Sequence, residues 1–307
     1  NAGPLGACDP LTLRTINDAE AFATALENAE DAHVLVSGTS MVALKAVETC
    51  LKRRAHVTML GRSTHILRKA AHPSAAARME RLIADQGVDL ALGRKVASAQ
   101  RLDGGGLSVL LEGDGLPRTF STALVAHGMT PSIGFIAEVS LEIHRGIVVD
   151  RLMQTSVPGI FAAGDVAQAP CLTGGSGIAG LWAEARAMGA AAGASMAAYL
   201  GCPIDDPEDR AYPGFLPANT IRVGRALFAS AGRIPEDAPL GNDAESEIFL
   251  EQTEASGAYT LKAYEQRGSE PMLVGFNMVA LADERGLFSP AVDAIGRIRA
   301  EIFRNAL

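Results

Sequence analysis

Apolar residues fall in short runs along the first half of the chain, and their spacing predicts the elements. His33-Val34-Leu35-Val36 is an apolar stretch of strand length, and Ser37-Gly38-Thr39-Ser40 follows as a tight turn. Residues 41–54 carry helical spacing, and His56-Val57-Thr58-Met59-Leu60 predicts a second strand. This is a strand–turn–helix–strand unit of the length that a parallel crossover needs. Residues 74–86 predict another helix and 88–92 another strand. The rhythm then shortens. Segments 96–102, 107–112 and 118–121 are separated by Gly-rich turns and read as an antiparallel meander. Residues 123–127 return to a buried strand before Gly128. Upstream, 1–10 is Gly/Pro-rich and irregular, and 11–26 turns helical with Asn17 or Asp18 as its N-cap.

A second block begins at Gly146. Residues 147–150 and the run Ile160-Phe161-Ala162-Ala163 predict buried strands, and a long helix over 181–200 closes the block. The stretch 201–217 holds four prolines and the acidic pair Asp205-Asp206, and reads as a linker. Strands are expected near 220–223, 246–251, 259–264 and 272–279, with a final helix over 290–304, so that the last segment reads as α+β.

Composition narrows the class. At 307 residues there is room for two or three domains, and 48% hydrophobic with 20% charged residues excludes a disordered or fibrous chain. The 32 glycines suit helices packed closely on sheets and backbones that approach a phosphate. A net charge of -8 offers no basic field for nucleic acid or anionic lipid. No membrane span is expected, because Glu184 and Arg186 interrupt the most apolar stretch, 183–200. Cys8, Cys50, Cys171 and Cys202 are widely separated, which points to reduced thiols in a cytoplasmic protein rather than a zinc site or a local redox disulfide. His33, His56, His65, His72 and His144 show no metal-ligand spacing.

Two motifs carry chemistry. In Thr155-Ser156-Val157-Pro158-Gly159-Ile160-Phe161-Ala162-Ala163-Gly164-Asp165-Val166, a buried strand is expected to end in a glycine, followed at once by an acid. An ionised Asp165 can accept hydrogen bonds from a polyol, and the amides after it can face an anion at a helix start. The second motif is Gly38-x-Ser40-x-x-Ala43, between a buried strand and a helix. It follows the G-x-G-x-x-G pattern of dinucleotide sites with its later glycines replaced by the smallest substitutes. At the end of the next strand an acid would hold a ribose 2′-hydroxyl. This chain has Gly61-Arg62 there, and Arg62 with Arg68 can meet a 2′-phosphate, which favours NADP over NAD.

The first motif resembles the second FAD-binding motif of the two-dinucleotide-domain flavoproteins. These are the pyridine nucleotide–disulfide oxidoreductases, with the rubredoxin reductases, NADH oxidases and the flavin part of assimilatory nitrite reductase among them. The resemblance implies that Asp165 holds the ribityl chain of FAD and that the backbone at Val166 and Ala167 sits near the pyrophosphate. It further implies that Trp182 opens a helix aimed at the flavin ring, and that Gly128, in Ala126-His127-Gly128-Met129-Thr130-Pro131, lies beside the bound nicotinamide nucleotide. His127 reads as structural. Lys45 stands where relatives usually place a glutamate facing the nicotinamide. The implied fold is α/β, with two Rossmann-like dinucleotide domains and a C-terminal α+β domain. Residues 1–30 would be a remnant or linker of the FAD domain, 31–130 the NAD(P) domain, 131–205 the C-terminal half of the FAD domain, and 206–307 an interface domain. The opening Asn1-Ala2-Gly3-Pro4-Leu5-Gly6 looks like the segment that follows the family's first FAD-binding G-x-G-x-x-G, so either the chain is a fragment or a partner supplies the rest. The implied reaction passes a hydride from nicotinamide to FAD and electrons onward to a protein, metal-centre or small-molecule acceptor, in a homodimer or a subunit of a redox complex. Two alternatives stand: a non-catalytic subunit whose nucleotide site has decayed, suggested by Lys45 and Gly61, and a thiol-disulfide reductase whose cysteine lies upstream.

Overall fold

The structure, a computed structural model, describes residues 2–27, 32–136, 140–203, 211–241, 246–255, 257–283, 285–288 and 294–307. The centre of the expected linker, at Asp205-Asp206-Pro207, lies outside the described residues. The chain divides into two compact units, Asn1–Gly128 with Ala218–Ile298, and Met129–Pro217 with Arg299–Leu307.

The first unit opens with a 3-10 turn, Gly3–Cys8, and helix α1 (Ile16–Ala25). That helix starts later than the expected residue 11, and its N-cap is Thr15 rather than Asn17 or Asp18. The Thr15 side chain accepts from the Asp18 N–H (3.2 Å), and the Asp18 carboxylate accepts from the Thr15 N–H (3.0 Å). This reciprocal pair puts Asp18 at the third helical position. Strand β1 (His33–Ser37), α2 (Met41–Lys52), β2 (His56–Gly61), α3 (Pro73–Ala84) and β3 (Val88–Leu92) follow in alternation. The meander β4 (Val96–Arg101), β5 (Leu107–Leu111) and β6 (Arg118–Phe120) then leads to β7 (Thr122–Val125). The parallel sheet has the order β3-β2-β1-β7.

Alternation along β1 explains how this sheet is buried on both sides. Val34 and Val36 point into a core with α2 and α3, whereas Leu35 joins Leu60, Ala123 and the meander residues Leu107, Val109, Leu111 and Phe120 on the other face. Burial on both faces is why the strands read as continuous apolar runs.

The rest of this unit is a five-stranded antiparallel sheet, built from β11 (Ala218–Val223), β12 (Ala226–Gly232), β13 (Ile248–Ala255), β14 (Ala258–Arg267) and β15 (Glu270–Leu281) in the order β11-β12-β15-β14-β13. Strand β12 was not among the expected strands: Ala-Leu-Phe-Ala-Ser-Ala-Gly is small and mostly buried, and shows no in-out alternation. Ile221, Val223, Phe228, Leu261 and Val279 from this sheet belong to the same core as Val34, Leu44 and Met79. Asn277, 1% exposed, joins the two layers: its side-chain oxygen accepts from the His72 N–H (2.7 Å), and its amide donates to the Ala70 carbonyl (2.9 Å).

The second unit holds a small sheet of order β10-β9-β8, formed by β8 (Ile147–Val148), β9 (Ala167–Pro170) and β10 (Ser176–Gly177), and the long helix α4 (Trp182–Tyr199). Residues 160–163, expected as a strand, make a single bridge, Gln154 with Phe161. Their backbone is drawn into a local fold-back, in which the Ile160 carbonyl accepts from the Thr155 N–H (3.0 Å) and the Ala162 N–H donates to the Met153 carbonyl (3.1 Å). After it comes a three-residue 3-10 turn, Gly164–Val166, and then β9, not the expected helix start. Helix α5 (Ile295–Ala306) ends the chain, and the expected start of this helix at 290–293 lies outside the described residues. Among the described residues no helix is long and apolar enough to cross a membrane.

Candidate functional site

Strand order reverses at β1, whose neighbours are β2 on one side and β7 on the other. In an open parallel sheet, ligands bind outside the C-terminal ends of the strands at such a reversal. Here those ends are Ser37-Gly38 and Val125 to Gly128.

The chain turns from β1 into α2 within three residues. Gly38 takes φ +138, and a Cβ on it would lie 2.3 Å from the Ala126 carbonyl oxygen, so the end of β7 enforces the glycine. The Gly38 N–H donates to the Leu60 carbonyl (2.8 Å). Ser40 is the N-cap of α2: its Oγ accepts from the Ala43 N–H (3.4 Å) and donates to the Ala126 carbonyl (3.1 Å). Ala43 is fully buried beneath the turn. Ser40 and Ala43 thus shape the turn, and the α2 amides at Met41 and Val42 have, by position, no intrahelical acceptor for a phosphate to compete with. His127 pairs with the Ser37 hydroxyl (2.8 Å), and Gly128, exposed at φ +101, ends the second edge of the crevice.

At the end of β2 lies a contact that the sequence did not flag. Gly61 is buried, and a Cβ on it would fall 2.2 Å from the Thr39 methyl group. Arg62 and Arg68 are both exposed on the loop beyond, while Ile66 and Leu67 between them plunge into the core. The loop is tied on several sides. Leu67 N–H donates to the Thr39 carbonyl (2.9 Å), Gly93 N–H to the Ser63 carbonyl (2.9 Å), and Ile66 N–H to a Glu80 carboxylate oxygen (2.9 Å). A signal for Glu80 was absent because a partner fourteen residues away leaves no spacing pattern. Lys45, one turn into α2, is engaged by Glu48 (2.8 Å), which also holds Lys52 (2.9 Å). Burial pushes the Glu48 carboxyl up, but the two lysines outweigh it and hold the group below its ordinary value.

The second unit carries the other expected residues. Gly164 takes φ +77, and a Cβ on it would make only ordinary contact with Ala185, so its glycine answers a backbone need rather than a clash. Asp165 is exposed and Val166 half-buried. The Ala167 N–H is spent on the Gly164 carbonyl, which leaves Asp165 and Val166 as the amide donors of the turn. Helix α4 has no side-chain N-cap, so its first amides are open to an anionic partner. Trp182, its first residue, is 75% exposed with the Arg186 guanidinium over its ring (4.9 Å). In the same first turn, Glu184 accepts a hydrogen bond from Tyr212, whose phenol is pushed up first by burial and then by that carboxylate. An exposed carboxylate, a glycine turn and an uncapped helix start are the donors and acceptors that a flavin's polyol arm and ring require, so the residues present fit such a cofactor. Among the described residues no group of three or more His, Cys, Asp or Glu side chains could hold a metal.

Comparison with known proteins bears on the family and the fold. The profile of the pyridine nucleotide-disulphide oxidoreductases matches residues 6–203. Putidaredoxin reductase of Pseudomonas putida is 30% identical over 157 residues, which cover 51% of this chain and 37% of that protein. Among solved structures, an NAD-dependent persulfide reductase from A. fulgidus superimposes with a TM-score of 0.78 at 18% identity, over 97% of this chain and 53% of that one. An engineered NADPH oxidase, a mutant of the water-forming NADH oxidase of Lactobacillus brevis, superimposes at 0.74 with 18% identity, over 97% of this chain and 64% of that one. The chain thus spans well under half the length of the curated relative.

Proposed function

The chain belongs to the pyridine nucleotide-disulphide oxidoreductase family, and from that premise we propose that it provides the nicotinamide site and part of the FAD site of an FAD-dependent NADPH oxidoreductase that hands electrons to a protein acceptor. The observation that carries this reading is the reversal of strand order at β1, with Gly38 at one lip of the crevice and Gly128 at the other. Bound FAD supplies the hydride-accepting and electron-passing chemistry. The residues of this chain bind and orient. The Met41 and Val42 amides meet the pyrophosphate, and Gly128 leaves room beside the nucleotide. Asp165 accepts hydrogen bonds from the ribityl hydroxyls, while the Asp165 and Val166 amides and the start of α4 near Trp182 face the rest of the flavin. In this assignment 31–130 is the nicotinamide domain, 131–205 the flavin part and 206–307 the surface for a homodimer or larger redox complex.

NADPH is favoured over NADH by the loop after β2. The engineered oxidase is described as bound to NADPH and carries five substitutions, spaced eighteen, one, one and five residues apart, that introduce Ala, Ala, Arg, Ser and Arg. This chain has Ala43, Gly61, Arg62, Ser63 and Arg68 at that same spacing. Four of the five are the introduced residue, and the fifth is the smaller glycine. The protein acceptor is argued from the name of putidaredoxin reductase.

Calorimetric titration of the purified chain with NADPH and NADH tests the reading. NADPH should bind about 10-fold or more tighter, and Arg62→Ala or Arg68→Ala should remove most of that difference. Equal affinities would overturn the NADPH preference, and absence of binding by both nucleotides would overturn the site.

A further inference from the structure

Thr39 is half-buried, sits between the two expected fingerprint positions Gly38 and Ser40, and has no assigned role in binding. Its methyl group occupies the space into which any side chain at position 61 must project, since a Cβ there would lie 2.2 Å away. Its carbonyl accepts from the Leu67 N–H (2.9 Å), in the middle of the loop that carries Arg62 and Arg68. One residue therefore touches both halves of the recognition problem: it closes position 61 and anchors the arginine loop. Thr is stiff at χ1, and with two heavy atoms on its Cβ only one of three staggered positions around that bond is vacant. An acid at position 61 cannot be accommodated without turning Thr39 out of its place.

We infer that Thr39 is a specificity-determining residue of the nucleotide site: its methyl group restricts position 61 to glycine, keeps a carboxylate away from the adenosine ribose, and so reserves the site for a 2′-phosphate at Arg62 and Arg68. The inference rests on the reading of the crevice as an NADPH site. It adds that the preference supplied by Arg62 and Arg68 is guarded by a side chain that contributes no charge and makes no ion pair with the ligand. A carboxylate at position 61 would otherwise repel the 2′-phosphate and hold the 2′-hydroxyl instead.

The test uses 2′,5′-ADP and 5′-AMP, which differ only in the 2′-phosphate, as calorimetric probes of the whole chain, with the melting temperature measured alongside. The wild type should prefer 2′,5′-ADP by about 10-fold or more. Gly61→Asp alone should lower the melting temperature and weaken binding of both probes, because the turn is forced apart. Gly61→Asp with Thr39→Ala should recover the melting temperature and reverse the preference toward 5′-AMP. Gly61→Asp with Thr39→Val, which keeps the blocking methyl groups, should recover neither. The inference is overturned if Gly61→Asp alone is as stable as the wild type and already reverses the preference, or if the Thr39→Ala and Thr39→Val double variants behave alike. A wild type with no preference between the probes would instead sink the NADPH reading beneath it, and the melting temperatures would still report whether residues 39 and 61 compete for one space.

Discussion

The two turns that carry the proposed sites are built to different standards of constraint. Around Gly38 the backbone is over-determined: Val34, Leu35 and Val36 before it are wholly buried, Ala126 presses on it from β7, and Ser40 bonds both forward to Ala43 and across to Ala126. Around Gly164 the supports are slighter. The flanking sheet has strands of two to four residues, Asp165 and Trp182 are exposed, and nothing crowds the glycine. The first turn draws its shape from close packing in a large core. The second presents its groups on a short loop, where the chemistry of the side chains decides more than the packing. A site of the first kind should be hard to damage without unfolding, and one of the second kind should lose ligand while keeping its fold.

Thiol chemistry gives the widest separation between the two. In the first unit Cys8 and Cys50 are buried, and burial pushes the Cys50 thiol up to about 12. At neutral pH its thiolate fraction is roughly three orders of magnitude below that of a free cysteine. In the second unit Cys171 is half-buried and Cys202 exposed. Maleimide labelling followed by peptide mapping should therefore modify Cys202 first, and Cys50 only after denaturant is added. Rapid labelling of Cys50 in the native protein would contradict the contrast. Glycine replacement comes next in size. Gly38→Ala should cost about 3 kcal/mol or more, from the clash with Ala126 added to the strained φ, whereas Gly164→Ala should cost about 1–2 kcal/mol from φ alone. Denaturant midpoints of the two variants decide this, and equal losses would erase the distinction.

The smallest effect is on acid stability. Glu48 is held below its ordinary value when folded, so its contribution is fully present above the unfolded glutamate value and is lost as pH falls through the folded one. Glu48→Gln should flatten the acid limb of the first unit's stability curve and leave the neutral limb parallel to that of the wild type. Melting scans across the acid range would show an unchanged limb if the lysine pair contributes nothing.

How much of this was legible in the sequence depends on burial pattern. Strands β1 and β2 could be read because their central residues form apolar runs buried on both faces, and the edge strand β3 because only Asp89 interrupts its apolar residues. Strand β12 is covered as fully, yet Ala226, Ala229, Ser230 and Ala231 are too small and mixed to announce it. Residues 160–163 had the composition of a strand, but hydrogen bonding to 153–155 used their backbone locally. Within the nucleotide site, Gly38 and Arg62 stood out by residue type. Thr39 did not, because its effect is exerted through space on a residue twenty-two positions later and leaves no periodicity to detect. The same holds for Glu80, which acts across a loop on the Ile66 backbone amide and the His65 ring. Local chemistry was legible, and cross-chain packing was not.

Asn277 has a consequence for anyone who wishes to shorten this protein. Because its amide stitches β15 to the segment leading into α3, severing the chain after residue 217 would strip the roof from α2 and α3 and bare a greasy underside to water. A minimal fragment that still grips a nucleotide must therefore keep sequence from near both ends, and heating should melt the antiparallel roof and the parallel floor as a single cooperative body.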